Sequence, residues 1–228
     1  SILHMHRGTP YVYQGEEIGQ TNTVLTGIDS YRDLESINHY HERVSAGDDP
    51  EAVLASLLVN SRDNARTPVQ WDAGAQAGFT EGTPWIDVTP NHTEVNAASQ
   101  VGVSGSVFEH YRALIALRHD DDAAALGTFR LLDADDAGSW TILREFVGDD
   151  GQREQLLLLA SCAREGLETG EGSALRRRLS AEGLDLGRWA DAERLLLSSL
   201  PAAQAGDSGV GAPELLEGWD SVVLRRRL

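Results

Sequence analysis

Asn60-Ser-Arg-Asp-Asn-Ala-Arg-Thr-Pro-Val-Gln-Trp-Asp72 is the stretch on which the reading of this chain turns. Its guanidinium, carboxylate, amide and indole groups follow neither the period of a helix nor the alternation of a strand, so it reads as a site loop. The composition suits a polyhydroxylated ligand. Arg62 and Arg66 offer planar forks of donors, Asp63 and Asp72 accept, and Trp71 supplies an apolar face for a sugar ring. The competing reading is structural, with an Arg62–Asp63 ion pair pinning the loop, since such networks also occur away from sites.

Outward from the loop the chain is legible by caps and periods. Asp49 as a cap, Pro50 at the first helical position and the stripe Val53, Leu54, Leu57, Leu58 predict an amphipathic helix that delivers Arg62. Before it, Ser30 reads as the cap of a helix carrying Leu34, Ile37, His41 and Val44 on one face and closed by Gly47. Thr9 to Gln14, stopped at Gly15, reads as a short strand. Trp71 to Gly105 has no sustained period, and long connections of this kind are usually functional. Ser106 with Glu109 is a capping box for a helix burying Val107, Tyr111, Leu114 and Ile115 and ending near His119. After Asp120-Asp-Asp122 the pattern becomes β-like. The strand candidates are Thr128 to Leu132, Ser139 to Val147, Gln155 to Ala160, Ala174 to Leu179, Arg194 to Ser199 and Ser221 to Arg226, with Leu184 to Arg194 open between helix and loop.

Four segments, Gly8-Thr-Pro-Tyr-Val-Tyr-Gln-Gly-Glu-Glu-Ile-Gly19, Tyr31-Arg-Asp-Leu-Glu35, Ser61 to Asp72 and Ala77-Gly-Phe-Thr-Glu-Gly-Thr-Pro-Trp85, together resemble the C-terminal part of a glycoside hydrolase family 13 α-glucosidase of the oligo-1,6-glucosidase type. The resemblance runs in order from Ser1 to about Arg130 and more loosely beyond. It departs at Gln20 and Val69, where methionine is common, and at Ser161-Cys162, where Asn-Phe is frequent. It implies an α/β fold: the C-terminal part of a (β/α)8 TIM barrel over residues 1–122, with Thr9 to Gln14 a barrel strand, and an antiparallel β-sandwich domain over residues 123–228. It further implies a glycosidase that hydrolyses terminal α-1,6 or α-1,4 glucosidic bonds of short oligosaccharides with retention, using no cofactor. Arg62 would hydrogen-bond the terminal glucose beside the cleavage point, and Glu35 would hold the second sugar.

The family's three catalytic carboxylates have no counterpart among these residues, so none is assigned here and the chain alone is expected to be inactive. A barrel alone needs roughly 250 residues, and the opening Ser1 to Arg7 resembles the last turns of a helix, so the expectation is a fragment. Two rivals share the resemblance: transglucosidases such as sucrose isomerases and trehalose synthases, and non-catalytic relatives such as the heavy-chain ectodomains of amino-acid transporters.

Composition narrows the partners. With 36 acidic against 19 basic residues and a formal charge of −17, nucleic-acid backbones are repelled overall. There is no run of about 18 apolar residues and Cys162 stands alone, so the expectation is a cytoplasmic protein whose partner is a small oligosaccharide, with neither membrane nor nucleic acid. Glu16-Glu17 tempts as a catalytic pair, but neighbours at a strand end point to opposite sides. His39 and His41, two apart on a helix, do not share a face as metal ligands do, and no metal is expected. Arg176 to Arg178 and Arg225 to Arg227 read as solvated edge strands. Trp140, Trp189 and Trp219 are too scattered for a carbohydrate-binding module.

Overall fold

The computed structural model of the chain describes residues 1–198 and 210–228. Its helices are α1 Ile2–Met5, α2 Leu34–Ser45, α3 Pro50–Asn60, α4 Val107–Asp120, α5 Asp122–Ala125 and α6 Ala174–Ala181. Its strands are β1 Thr128–Leu132, β2 Ser139–Val147, β3 Arg153–Ser161, β4 Leu167–Glu168, β5 Glu193–Leu197, β6 Leu215–Leu216 and β7 Ser221–Arg227. They fall into two compact units, one of Ser1–Tyr11 with Gly102–Leu228 and one of Val12–Val101.

In the first unit an antiparallel five-stranded sheet runs in the order β1-β2-β3-β7-β5. Alternation along the strands sends Leu157, Leu159, Val222 and Leu224 to one face, against Leu175 and Leu179 of α6, Trp189, and Leu167 and Leu216 of the small β4-β6 ribbon. Leu156, Leu158 and Val223 go to the other face, against Met5, Leu114 and Ala123 of the first helix, α4 and α5. Both faces are covered, and for that reason β3 carries an unbroken apolar run instead of an alternating one. Each fully buried leucine contributes about 2 kcal/mol.

Two arginines tie the opening segment into this unit. Arg144, fully buried, donates to the carbonyls of Thr128 at 2.8 Å, Gly127 at 2.9 Å, Met5 at 3.0 Å and His6 at 3.3 Å. Arg118 donates to the carbonyls of His4, His6, Gly8 and Ala124. Neither guanidinium has a carboxylate ion-pair partner among the described residues. Carbonyls that end short helices and turns take that place.

The second unit is held by α2 and α3, which bury Tyr31, Val53 and Leu57 together with Leu25. Asp49 caps α3 with Pro50 in its first turn, as the sequence predicts. The cap of α2 is Asp33, which accepts from the Ser36 amide at 3.2 Å, and not Ser30. Ser30 instead ends a 3-10 turn, Ile28–Ser30, because the acidic side chain three residues on lies within reach of the first free amides.

Three further expectations are corrected. Ala174 to Leu179, expected as a strand, lies in α6: Ser173 accepts from the Arg176 amide and starts a helix whose Leu175 and Leu179 sit on one face. The arginine runs are therefore not solvated edge strands. Arg178 pairs with Asp133 and Asp136, and Arg225 with Asp121 at 2.7 Å and Glu154 at 2.9 Å. Thr9 to Gln14, expected as a strand, enters no ladder among the described residues. The Tyr13 amide is taken by the Glu16 carboxylate at 2.7 Å, and Gly15, at φ 95°, turns the chain into the 3-10 segment Glu16–Ile18. The ambiguous stretch Leu184 to Arg194 contains a 3-10 turn, Leu186–Trp189, capped by Asp185. Ser199, the last residue of one strand candidate, lies outside the described residues.

No helix among the described residues is long and apolar enough to cross a membrane. No group of three or more metal-capable side chains gathers among them either.

Candidate functional site

The loop Ser61 to Asp72 begins where α3 stops. Ser61 closes α3 and caps the next 3-10 turn, Arg62–Arg66, by accepting from the Asp63 amide at 3.2 Å. Its hydroxyl also meets the Ser36 hydroxyl of α2 at 2.9 Å. Asp63, with no exposed surface, is turned inward under the start of α2: one carboxylate oxygen accepts from the amides of Arg32 at 2.7 Å and Asp33 at 3.0 Å. Arg66 bridges Asp63 and Asp33, 3.4 Å from each. The end of α3 and the start of α2 are thus stitched by a buried set of acceptors and donors in which every carboxylate oxygen named has a partner.

Arg62 and Glu35 stand on top of this platform and pair with each other. Their side chains are 61% and 72% exposed, so the pair is open to a ligand and adds little to stability. Glu35 lies in the first turn of α2, where the helix dipole favours its charge. The electrostatics carry inward to Asp33. Desolvation pushes its carboxyl upward, but the Ser36 hydrogen bonds and then the charges of Arg62 and Arg66 outweigh it, so its pKa lies below the ordinary 3.8. Beneath Asp63, burial followed by the Asp63 charge raises the phenol of Tyr31. The Tyr31 hydroxyl is buried without a hydrogen-bond partner among the described residues.

The structure therefore brings together both residues singled out from sequence, and it reassigns their neighbours. The alternative Arg62–Asp63 ion pair is not formed. Asp63 pairs with Arg66, and its burial removes it as a ligand acceptor. Asp72 bends onto its own loop and accepts from the Gly74 amide at 2.7 Å, while Trp71 stays exposed. The amides of the loop act inward as well: Gln70 donates to Val95 O at 2.7 Å and Asn64 to Leu58 O at 2.9 Å. A cavity of about 210 Å3 beside the loop is lined by Tyr13, Gln20 and Asn64, not by Arg62 or Glu35.

Glu16 and Glu17 occupy the 3-10 turn, where their carboxylates accept from the amides of Tyr13 and Gly15. Sequence reasoning missed the Asp33–Ser36–Ser61–Asp63 set. The available signal was Asp33, three residues before Ser36 and directly before the helical stripe.

The chain matches the family model described as the alpha-amylase catalytic domain over residues 1–127. It is 50% identical over 137 residues to an oligo-1,6-glucosidase of Parageobacillus thermoglucosidasius, covering 60% of this chain and 24% of that one. It is 46% identical over 159 residues to a trehalose-6-phosphate hydrolase of Bacillus subtilis, covering 70% and 28%. Among solved structures, the trehalulose synthase of Pseudomonas mesoacidophila MX-45 superposes with a TM-score of 0.77 at 33% identity, covering 98% of this chain and 36% of that one. The chain thus spans about a quarter to a third of the length of the proteins it matches. The fold class is α/β, part of a (β/α)8 barrel followed by an antiparallel β domain. With more than half of its residues inside the match, the chain belongs to the alpha-amylase family.

Proposed function

We propose that this chain is part of a retaining α-glucosidase that hydrolyses terminal α-1,6 or α-1,4 glucosidic bonds of short oligosaccharides, with Arg62 and Glu35 as substrate-binding residues. The exposed Arg62–Glu35 pair on its buried platform carries the reading. A guanidinium fork and a carboxylate, both solvent-facing, can exchange their mutual contact for sugar hydroxyls at small cost. In this reading residues 1–122 belong to the barrel and residues 123–228 to the β domain. In the whole enzyme a carboxylate outside these 228 residues attacks the anomeric carbon as an acid protonates the leaving oxygen. Water then releases glucose with retained configuration. The compartment is the cytoplasm, and the partner is the oligosaccharide alone.

By itself the 228-residue chain is inactive, because an arginine and a subsite glutamate cannot replace nucleophile and general acid. The test is Arg62→Ala in a full-length enzyme carrying this segment: kcat/KM on small α-glucosides collapses, and a near-normal value ends the assignment. Hydrolysis of an aryl α-glucoside by the purified 228-residue chain, abolished by the same substitution, would overturn the inactivity. A second reading, glucosyl transfer instead of hydrolysis, fits the likeness to trehalulose synthase without outweighing the first. Product analysis on sucrose separates the two.

A further inference from the structure

A cleft of about 740 Å3 opens on the β domain, away from the Arg62 loop in sequence and within the first unit. Its floor follows from register. Arg130 pairs with Leu143, Glu145 with Gln155, and Gln155 with Arg226, so these side chains share the face that carries Leu157 and Leu224 farther along the sheet. Where the cover of α6 and Trp189 ends, that face turns from leucine to arginine.

Four arginines, Arg130, Arg153, Arg188 and Arg226, line the cleft against the side-chain carboxylates of Glu145 and Asp185. Both carboxylates are already engaged. Glu145 accepts from Arg153 and from Gln155, each at 2.6 Å, and Asp185 accepts from the Gly187 amide at 2.9 Å and faces Arg188 at 3.6 Å. Arg130 and Arg226 enter no ion pair among the described residues and donate only to backbone carbonyls, of Glu182 at 3.1 Å and of Arg188 at 3.4 Å. Desolvation raises the Glu145 carboxyl's pKa, but its Gln155 and Arg153 hydrogen bonds outweigh it, and the Arg130 charge lies near enough to help lower that pKa. Arg226 is further held in place, its guanidinium 5.6 Å above the ring of the buried Trp189. A chain with a formal charge of −17 thus gathers four arginines against two side-chain carboxylates in one concavity of ligand size.

We propose that this cleft is a binding site for a small multivalent phosphate, of the kind carried by a nucleotide or a condensed phosphate. Guanidinium forks match phosphate oxygens two at a time. The buried indole is capped by Arg226, so stacking of a ring on Trp189 is not what the cleft offers. The site is independent of the α-glucosidase reading and stands or falls without it.

The test is calorimetric titration of the purified 228-residue chain with inorganic pyrophosphate at low and at physiological ionic strength. The expected result is saturable one-to-one binding that weakens with salt. Arg130→Gln and Arg226→Gln each weaken it about tenfold, the order of one charge-assisted hydrogen bond. Arg164→Gln, at an exposed arginine outside the cleft, leaves it within about twofold. Arg130 lies exposed on an edge strand, so its variant reports even if loss of Arg226 disturbs the packing of Trp189. Absence of saturable binding at millimolar pyrophosphate, or equal weakening by Arg164→Gln, overturns the proposal.

Discussion

Asp63→Ala is the substitution that most directly probes the platform under Arg62. The carboxylate it removes is fully buried and serves two backbone amides, at 2.7 and 3.0 Å, through one oxygen and Arg66, at 3.4 Å, through the other. Each amide left buried without an acceptor costs about 1–3 kcal/mol. The Arg66 part is small, because that side chain is 35% exposed and retains Asp33. The sum is a loss of about 2–6 kcal/mol, and Asp63→Asn, which keeps an acceptor oxygen, loses roughly half as much. Urea unfolding followed by total tryptophan fluorescence gives the global value. Because two compact units need not unfold together, amide hydrogen exchange at Arg32 and Asp33 supplies the local one. Wild-type protection of both amides in Asp63→Ala, or a loss below about 1 kcal/mol, would refute the reasoning.

Three further outcomes are expected. Arg144→Met removes the side-chain donor from the carbonyls of Met5, Gly127 and Thr128, while His6 keeps Arg118, and costs about 3–5 kcal/mol, read by urea unfolding; Arg144→Lys recovers only part of it, because an ammonium cannot span the same fork. Burial, then the Ser1 ammonium and His4, lower the His110 pKa from 6.5 to about 4. A base depressed in the folded state gives stability that is full above pH 6.5 and is lost as pH falls toward about 4, and in the 228-residue chain His110→Gln flattens a stability–pH curve over that window. The depressed Asp33 carboxyl acts lower: its contribution is present above its ordinary 3.8 and disappears as pH falls through the folded value, so Asp33→Asn removes that acid limb.

Much of this fold was legible, and the failures have physical causes. Asp49-Pro50 and Ser106 marked α3 and α4, because those caps act locally through amides two or three residues on. Thr128–Leu132 and Ser139–Val147 were bounded to the residue, since Gly and Asp clusters break both ends. Ala174 to Leu179, part of α6, was misread as a strand because leucines separated by an arginine run fit a strand's alternation, while the deciding Ser173 cap was given no weight. Thr9 to Gln14 failed for a different reason: a strand is a pairing, and strand propensity says nothing about where a neighbour lies. At the site, Arg62 and Glu35 were found by resemblance. Asp63 was read as outward because its burial depends on the start of α2, thirty residues earlier in the chain, and no local pattern encodes that.

The first unit is discontinuous, with Ser1–Tyr11 docked on residues after Gly102. During synthesis at about 5–20 residues per second, the opening segment leaves the ribosome many seconds before Arg118 and Arg144 exist to receive its carbonyls. Residues 12–101, contiguous in sequence, can meanwhile mature. The order of emergence thus separates a unit that folds as it is made from one whose sheet must wait for β7, the strand between β3 and β5 and close to the last residue described, and the interval leaves Met5 and its neighbours dependent on other cover until then.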